Sequence, residues 1–310
     1  MVVSCLSFVS LYGAFLRRSI AASGLSSQSI DVDADTTIHF WGPNSPSSPT
    51  DDGEQRKSPL VLLHGFGPHG VWQWRQQVNV LVLFLAPHFD LYVPDLVFFG
   101  ESTSKSSERS EIFQAKAIGK LMEKVGVNKY SVVGTSYGGF VAYRVAEMWP
   151  ERVEKVVIAS SGVNMKPKDN GELLKRAKVE KIEELLLPET AAQLRTLMRL
   201  AASNRVYVPD FFLNDFIDKL YCENRKEKME LLKGLALGKD DPLNISPLPQ
   251  KVLIIWGEED NIFLLDKAKE LKEMLGKNAS LEVMKKASHI PQLEQPKNFN
   301  KILYKFLCAS

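Results

Sequence analysis

Cysteine is scarce: the 310 residues hold three, Cys5, Cys222 and Cys308. An odd number, far apart and in no metal-type spacing, excludes a disulfide framework and reads as reduced thiols of an intracellular protein. A surplus of one charge is missing as well. The 39 basic side chains stand against 37 acidic ones with no basic block, which argues against nucleic acid as a partner. No His/Cys/Asp cluster has ligand spacing and no glycine loop of the phosphate-cradling kind occurs, so neither a metal nor an organic cofactor is expected. No internal repeat or extended low-complexity segment breaks the chain.

A long apolar run is also lacking. Met1 to Leu16 is apolar apart from serines, but a spanning helix needs roughly twenty apolar residues, and a secretory signal wants its positive charge before the run, not after it as at Arg17-Arg18. On a helix Cys5, Phe8, Tyr12 and Phe15 fall near one face and Ser4, Ser7 and Ser10 towards another. Residues 1–28 are therefore expected to form an apolar or amphipathic segment that lies on a membrane or packs on the protein, with a cleaved targeting peptide as the third option. The location expected is intracellular, cytoplasmic or peripherally membrane-associated.

What is present is alternation. Ser29 to Ala34, Thr36 to Trp41, Pro59 to Leu63, Phe89 to Pro94, Lys129 to Val133, Val153 to Ala159, Lys251 to Trp256 and Ser280 to Met284 read as strands. Helical stretches at Val71 to Leu85, Ser110 to Val125, Phe140 to Met148, Lys267 to Leu275 and Pro296 to Phe306 lie between and after them. Short continuous apolar strands alternating with amphipathic helices indicate an α/β protein with a mostly parallel, doubly wound sheet. Between Gly162 and Pro247 strands disappear, and helices are expected over Gly171 to Leu187, Thr190 to Ser203 and Pro209 to Leu237. The organisation expected is thus a core over 29–161 and 248–310, with a helical cap inserted at 162–247.

The strand ending near Val133 passes abruptly into Gly134-Thr135-Ser136-Tyr137-Gly138 and then a helix. A serine at the apex of such a strand-turn-helix is held in a strained backbone conformation, and glycines two residues either side let neighbouring backbone pass without a Cβ clash. A serine hydroxyl needs a base to take its proton, normally a histidine whose other ring nitrogen is held by a carboxylate. On sheets of this kind the order is serine, acid, histidine, each after a strand. His289, after the last strand, stands where the base belongs, and His64 is read as shaping its own turn. His39, His69 and His88 have no partner visible in sequence. Trp256-Gly257-Glu258-Glu259-Asp260 offers three carboxylates; Asp260 is the first choice, with Glu258 or Glu259 left open. Asp95 is expected to organise the Leu96 to Ser102 loop. The developing oxyanion needs preorganised donors, and the amides of Phe66 and Tyr137 are the candidates.

With His64-Gly65-Phe66-Gly67, Asp95, Gly100-Glu101-Ser102, Gly134 to Gly139, Gly257 to Asp260 and His289-Ile290-Pro291 in order, the chain from about Ser29 onwards resembles the α/β-hydrolase fold family. Within it the chain is similar to monoacylglycerol lipases and meta-cleavage carbon–carbon bond hydrolases, particularly plant members. The resemblance implies a mostly parallel eight-stranded sheet flanked by helices and an inserted cap, with Ser136 as nucleophile, His289 as base, Asp260 as orienting acid and Phe66 and Tyr137 as oxyanion donors. The activity it implies is hydrolysis of a small or lipid carboxylic ester, such as a monoacylglycerol. Epoxide hydrolases and haloalkane dehalogenases carry aspartate where Ser136 stands. Carbon–carbon bond hydrolysis, acyl transfer or cyclisation on the same three residues are the alternative chemistries, and a ligand receptor retaining them is the alternative of another class. Two positions depart from the pattern: Leu264 stands where proline is frequent, and Ser288 where glycine is common.

Overall fold

The computed structural model describes residues 7–44, 57–78, 85–204, 206–234 and 245–309. Helix α1 (Phe8–Ala21) precedes strands β1 (Leu25–Asp31), β2 (Thr36–Pro43) and β3 (Ser58–Leu63). There follow α2 (Gly70–Val78), β4 (Phe89–Pro94), β5 (Thr103–Ser104), α3 (Glu111–Lys124), β6 (Tyr130–Thr135), α4 (Tyr137–Met148) and β7 (Val153–Ala159). Next come, with no strand among the described residues, α5 (Pro167–Ala177), α6 (Ile182–Leu186), α7 (Ala191–Ala201), α8 (Asp210–Leu220) and α9 (Arg225–Gly234). The chain closes with β8 (Lys251–Gly257), α10 (Leu265–Leu275), β9 (Ala279–Met284), α11 (Pro291–Glu294) and α12 (Pro296–Cys308).

Eight strands form one path in the order β1-β2-β4-β3-β6-β7-β8-β9, and the two-residue β5 pairs with β2. From β4 to β9 the neighbours run parallel, while β1, β2 and β4 meet antiparallel. The central strands read as continuous apolar runs because both faces are covered: Leu60 to Leu63, Val132, Val133 and Val156 to Ala159 are fully buried. This register aligns the carboxyl ends of β3, β6, β8 and β9 along one edge, where the loops carrying the candidate residues emerge.

The differences from the sequence reading are local. Strand β1 ends at Asp31 rather than Ala34, because residues 32–35 make the turn, with Val32 N–H donating to Thr36 O. Helix α2 ends at Val78 among the described residues; residues 79–84 of the longer expected helix lie outside them. The expected helix 171–187 is two, broken at Lys178 in a left-handed conformation (φ 57°), and 209–237 is broken at Asn224 (φ 50°). Both break without glycine or proline, which left no mark to read.

Helix α1 is capped by Ser7, whose side chain accepts from Ser10 N–H. It sets Leu16 and Ile20 into the core and is tied to α8 by Val9 N–H donating to Asp215 Oδ2 at 3.0 Å. Leu11 and Phe15 stay exposed, and Phe8 and Tyr12, also partly open to solvent, pack on Phe212 of α8 and Trp72 of α2. No described helix is long and apolar enough to cross a membrane.

Candidate active site

Strand β6 turns into α4 through Ser136, whose φ of 51° and ψ of −118° are unusual for any residue other than glycine. The strain is held by bonds on both sides: Ser136 N–H donates to Ala159 O at 2.9 Å, and Ser161 Oγ donates to the Ser136 carbonyl at 2.6 Å. A Cβ on Gly134 would run into the Gly138 carbonyl, and one on Gly138 into the Leu63 carbonyl. The spacing visible in the sequence is therefore the trace of two backbone crossings that only a missing side chain permits.

His289 Nε2 lies 3.0 Å from Ser136 Oγ, and its Nδ1 lies 2.9 Å from Asp260 Oδ2. An ionised carboxylate only accepts, so Nδ1 carries the proton and Nε2 of the neutral ring accepts from the serine hydroxyl. The other oxygen of Asp260 accepts from the N–H groups of Ile262 (2.8 Å) and Phe263 (2.9 Å), which fixes the carboxylate plane. Asp260 is buried against His289, whereas Glu258 and Glu259 face solvent.

Phe66 and Tyr137, the candidate donors, lie side by side, their ring centroids 5.8 Å apart. Tyr137 is the first residue of α4, where N–H groups lack partners within the helix. Gly65, next to Phe66, packs so closely on Ser136 that an added Cβ would sit 2.9 Å from the serine Cβ. Gln73 on α2 staples this loop by accepting from Gly65 N–H at 2.8 Å and donating to Gly65 O at 2.9 Å. No N–H···O bond joins either the Phe66 or the Tyr137 amide to an acceptor among the described residues.

Ser288 explains its own departure from glycine. Its hydroxyl contacts the carbonyls of Glu259 (3.0 Å) and Leu200 (3.1 Å), and its N–H donates to Glu294 Oε2 at 2.6 Å. Glu294 Oε1 in turn accepts from Ser203 N–H at 2.7 Å. The loops of the acid and the base are thereby tied to the end of α7. The sequence flagged Ser288 only as an oddity, and nothing in it flagged Gln73 or Glu294.

Two of the remaining histidines, His39 and His69, gather on Asp95, whereas the His88 ring packs on Tyr304, 4.8 Å between centroids. His39 Nδ1 lies 2.9 Å from Asp95 Oδ2, and Asp95 Oδ1 accepts from Gly70 N–H at 2.9 Å, with His69 Nδ1 3.5 Å away. Burial acts to raise the Asp95 carboxyl, but His69 and His39 outweigh it and hold it far below the usual carboxylate range. Burial opposes the charge on His39, yet the Asp95 bond raises its pKa overall. His64 accepts from Leu96 N–H at Nε2 (3.0 Å) and therefore donates from Nδ1 to Gly65 O (2.8 Å). Complete burial lowers its pKa to about 4. It is a neutral strut joining two loops, in keeping with its reading as a turn-shaping residue.

Ser136 and His289 open into a cavity of about 840 Å³ between the sheet edge and helices α1, α2, α7 and α8, within the size range of pockets for small organic molecules. Phe66, Trp72, Leu186, Phe212, Phe216 and Ile290 supply much of its apolar wall. The apolar residues between β7 and β8 thus divide: Leu186, Phe212 and Leu213 line the cavity, Leu185 and Leu187 are buried without reaching it, and Phe211 points outward.

Comparison with known proteins agrees with this fold. The family model described as alpha/beta hydrolase fold matches residues 58–296. The chain is 26% identical over 263 residues to monoacylglycerol lipase abhd6-A of Xenopus laevis, covering 82% of this chain and 76% of that one. It is 25% identical over 290 residues to 2-hydroxy-6-oxononadienedioate/2-hydroxy-6-oxononatrienedioate hydrolase 1 of Pseudomonas putida, covering 89% and 94%. The solved structure of 2-hydroxy-6-oxo-6-phenylhexa-2,4-dienoate hydrolase from Rhodococcus sp. strain RHA1 superposes with a TM-score of 0.71 at 22% identity, covering 92% of this chain and 99% of that one. The matched span takes in the sheet from β3 onwards and every loop that carries a candidate residue, so the chain belongs to the alpha/beta hydrolase fold family and is a hydrolase.

Proposed function

We propose that the chain hydrolyses a carboxylic ester with a substantial apolar portion, a monoacylglycerol or a smaller ester, through an acyl-Ser136 intermediate. The observation that carries this reading is the Ser136–His289–Asp260 relay at 3.0 and 2.9 Å, opening into the apolar cavity. Ser136 Oγ attacks the ester carbonyl while its proton passes to His289 Nε2. Asp260 stabilises the imidazolium, and the Phe66 and Tyr137 amides take up the oxyanion. His289 returns the proton to the departing alcohol. Water, activated by the same imidazole, then frees the acid. Residues 162–247 act in this reading as one cap whose inner face grips the apolar portion.

The exposed Leu11 and Phe15, followed by Arg17 and Arg18, support peripheral contact of α1 with a lipid surface, from which such a substrate would be drawn. A second reading, carbon–carbon bond hydrolysis of a vinylogous diketone on the same residues, is supported by the similarity to the Pseudomonas putida hydrolase along nearly its whole length.

The test is turnover of p-nitrophenyl octanoate together with labelling by a fluorophosphonate. Both are expected for the wild type and neither for Ser136→Ala. Labelling undiminished in Ser136→Ala removes the assignment, and turnover of a ring-cleavage diketone without ester turnover favours the second reading. Ligand-dependent partner binding with only a single slow turnover would turn the reading towards a receptor.

A further inference from the structure

The cavity wall carries charge of one sign only. Among the described residues that line it, Arg75, Arg195 and Arg199 are cationic and none is Asp or Glu. Two of the three are accounted for without a ligand. Arg195 pairs with Asp210 and also donates to Val208 O at 2.8 Å, and Arg199 is exposed to water.

Arg75 differs. It sits on α2, half-buried, against the part of the cavity walled by α1. Its guanidinium donates to the Trp72 carbonyl and meets the Tyr12 hydroxyl, both neutral partners. No carboxylate lies within 4.0 Å of it among the described residues. Burial lowers its pKa, with Tyr12 opposing the shift. Helix geometry gives a reason for a cation here, since Arg75 is in the last turn of α2 where the carbonyl ends of the peptide dipoles point. Tyr12 gives a further one, by joining α1 to α2. Neither accounts for a guanidinium left without a counter-charge beside an apolar space, where an unpaired charge is costly and a carboxylate or phosphate would meet its planar fork with two parallel bonds. Trp72 and Tyr12, 5.4 Å apart between ring centroids, flank the spot.

We propose that Arg75 recognises an anionic group, a carboxylate or a phosphate, carried by the substrate away from its scissile ester. The preferred substrate is then an anionic amphiphile rather than a neutral one, and Arg75 is a specificity-determining residue. The inference rests on the reading of the cavity as the substrate chamber, but it is tested by binding alone, so that it stands or falls separately from ester turnover.

Isothermal titration calorimetry of the full chain with octanoate, octyl phosphate and octan-1-ol compares one tail with two anionic heads and a neutral one. At least one anion is expected to bind the wild type about tenfold or more tighter than octan-1-ol, a gap of the size one charge-assisted bidentate contact supplies. Which anion gains identifies the head group. Arg75→Gln is expected to abolish the difference, Arg75→Lys to keep part of it, and Arg199→Gln to leave it unchanged. If Arg75→Gln does not fold, modification of Arg75 by phenylglyoxal in the wild type, mapped by peptide mass, gives the second measurement. It should be slowed by the favoured anion and not by octan-1-ol. Equal binding of alcohol and anions to the wild type, a preference that survives in Arg75→Gln, or no protection of Arg75 would each overturn the proposal.

Discussion

The described residues contain two serine–histidine–aspartate relays of nearly the same dimensions. In one, Ser136 Oγ, His289 and Asp260 are linked at 3.0 and 2.9 Å; in the other, Ser27 Oγ lies 2.8 Å from His39 Nε2, and His39 Nδ1 lies 2.9 Å from Asp95. By distance alone they are equivalent. Ser27, however, lies within edge strand β1, in ladder register with Trp41, with its hydroxyl at the surface. No strained turn presents it, and the cavity does not reach it. Asp95 spends its other oxygen on Gly70 N–H, and its own carbonyl accepts from Ser102 Oγ at 2.7 Å, so the second relay pins loops together. A relay supplies a base. What sets the Ser136 relay apart is its surroundings: a serine held at a strained strand-to-helix turn and an apolar chamber in front.

The largest separation between the two should come from removing each carboxylate's charge. Asp260→Asn is expected to lower kcat for p-nitrophenyl octanoate by about 10⁴, because the imidazole loses both its tautomer and its counter-charge. Asp95→Asn should leave turnover per folded molecule little changed and lower stability in urea by about 1–3 kcal/mol, the cost of disturbing a buried polar network. Equal kinetic losses in the two variants would erase the distinction.

Acid should next probe the Asp95 network and the neighbouring strut His64, through stability. His64, with a folded pKa of about 4 against an ordinary 6.5, binds a proton in the unfolded chain before it does in the folded one. Stability therefore falls as pH drops from about 6.5 to 4, by about 3 kcal/mol in all, and His64→Gln should flatten that slope. His39 runs the other way: its raised pKa gives a contribution fully present below about 6.5 and lost as pH climbs through the folded value. Asp95, held low, contributes above about 3.8 and loses that contribution as pH falls further. Urea titrations of wild type and the His64 and His39 variants at several pH values check all three signs.

The smallest effect concerns Ser288. Ser288→Gly removes the hydroxyl that meets Glu259 O and Leu200 O. It should reduce kcat a few-fold, in line with about 1 kcal/mol for a hydrogen bond, without changing fluorophosphonate labelling at saturation. An unchanged kcat would show that the α7 tie does not reach the Ser136 relay.

These relays also mark how far the sequence could be read. The turn at Ser136 is local: Gly134 and Gly138 are dictated by carbonyls a few ångströms away, so the pattern survives in the string of residues. His289 and Asp260 follow from strand order, which apolar runs such as Leu60 to Leu63 and Val252 to Ile255 make visible. The choice of Asp260 over Glu258 and Glu259 needed the loop's backbone. His39 showed no partner in sequence because Ser27 and Asp95 reach it only through strand pairing across β1, β2 and β4. The helix breaks at Lys178 and Asn224 left no glycine or proline behind. Which apolar side chains between β7 and β8 face the chamber depends on helix rotation, and the composition of Leu185-Leu186-Leu187 is silent on that.

The central claim, that Ser136 and not another hydroxyl becomes acylated, is tested most directly by quenching a reaction with p-nitrophenyl octanoate in acid and mapping the octanoyl group by peptide mass. The account predicts the acyl group on the peptide containing Ser136 and none on the peptide containing Ser27, with no adduct in Ser136→Ala. An octanoyl group on Ser27, or an adduct that persists in Ser136→Ala, would contradict it.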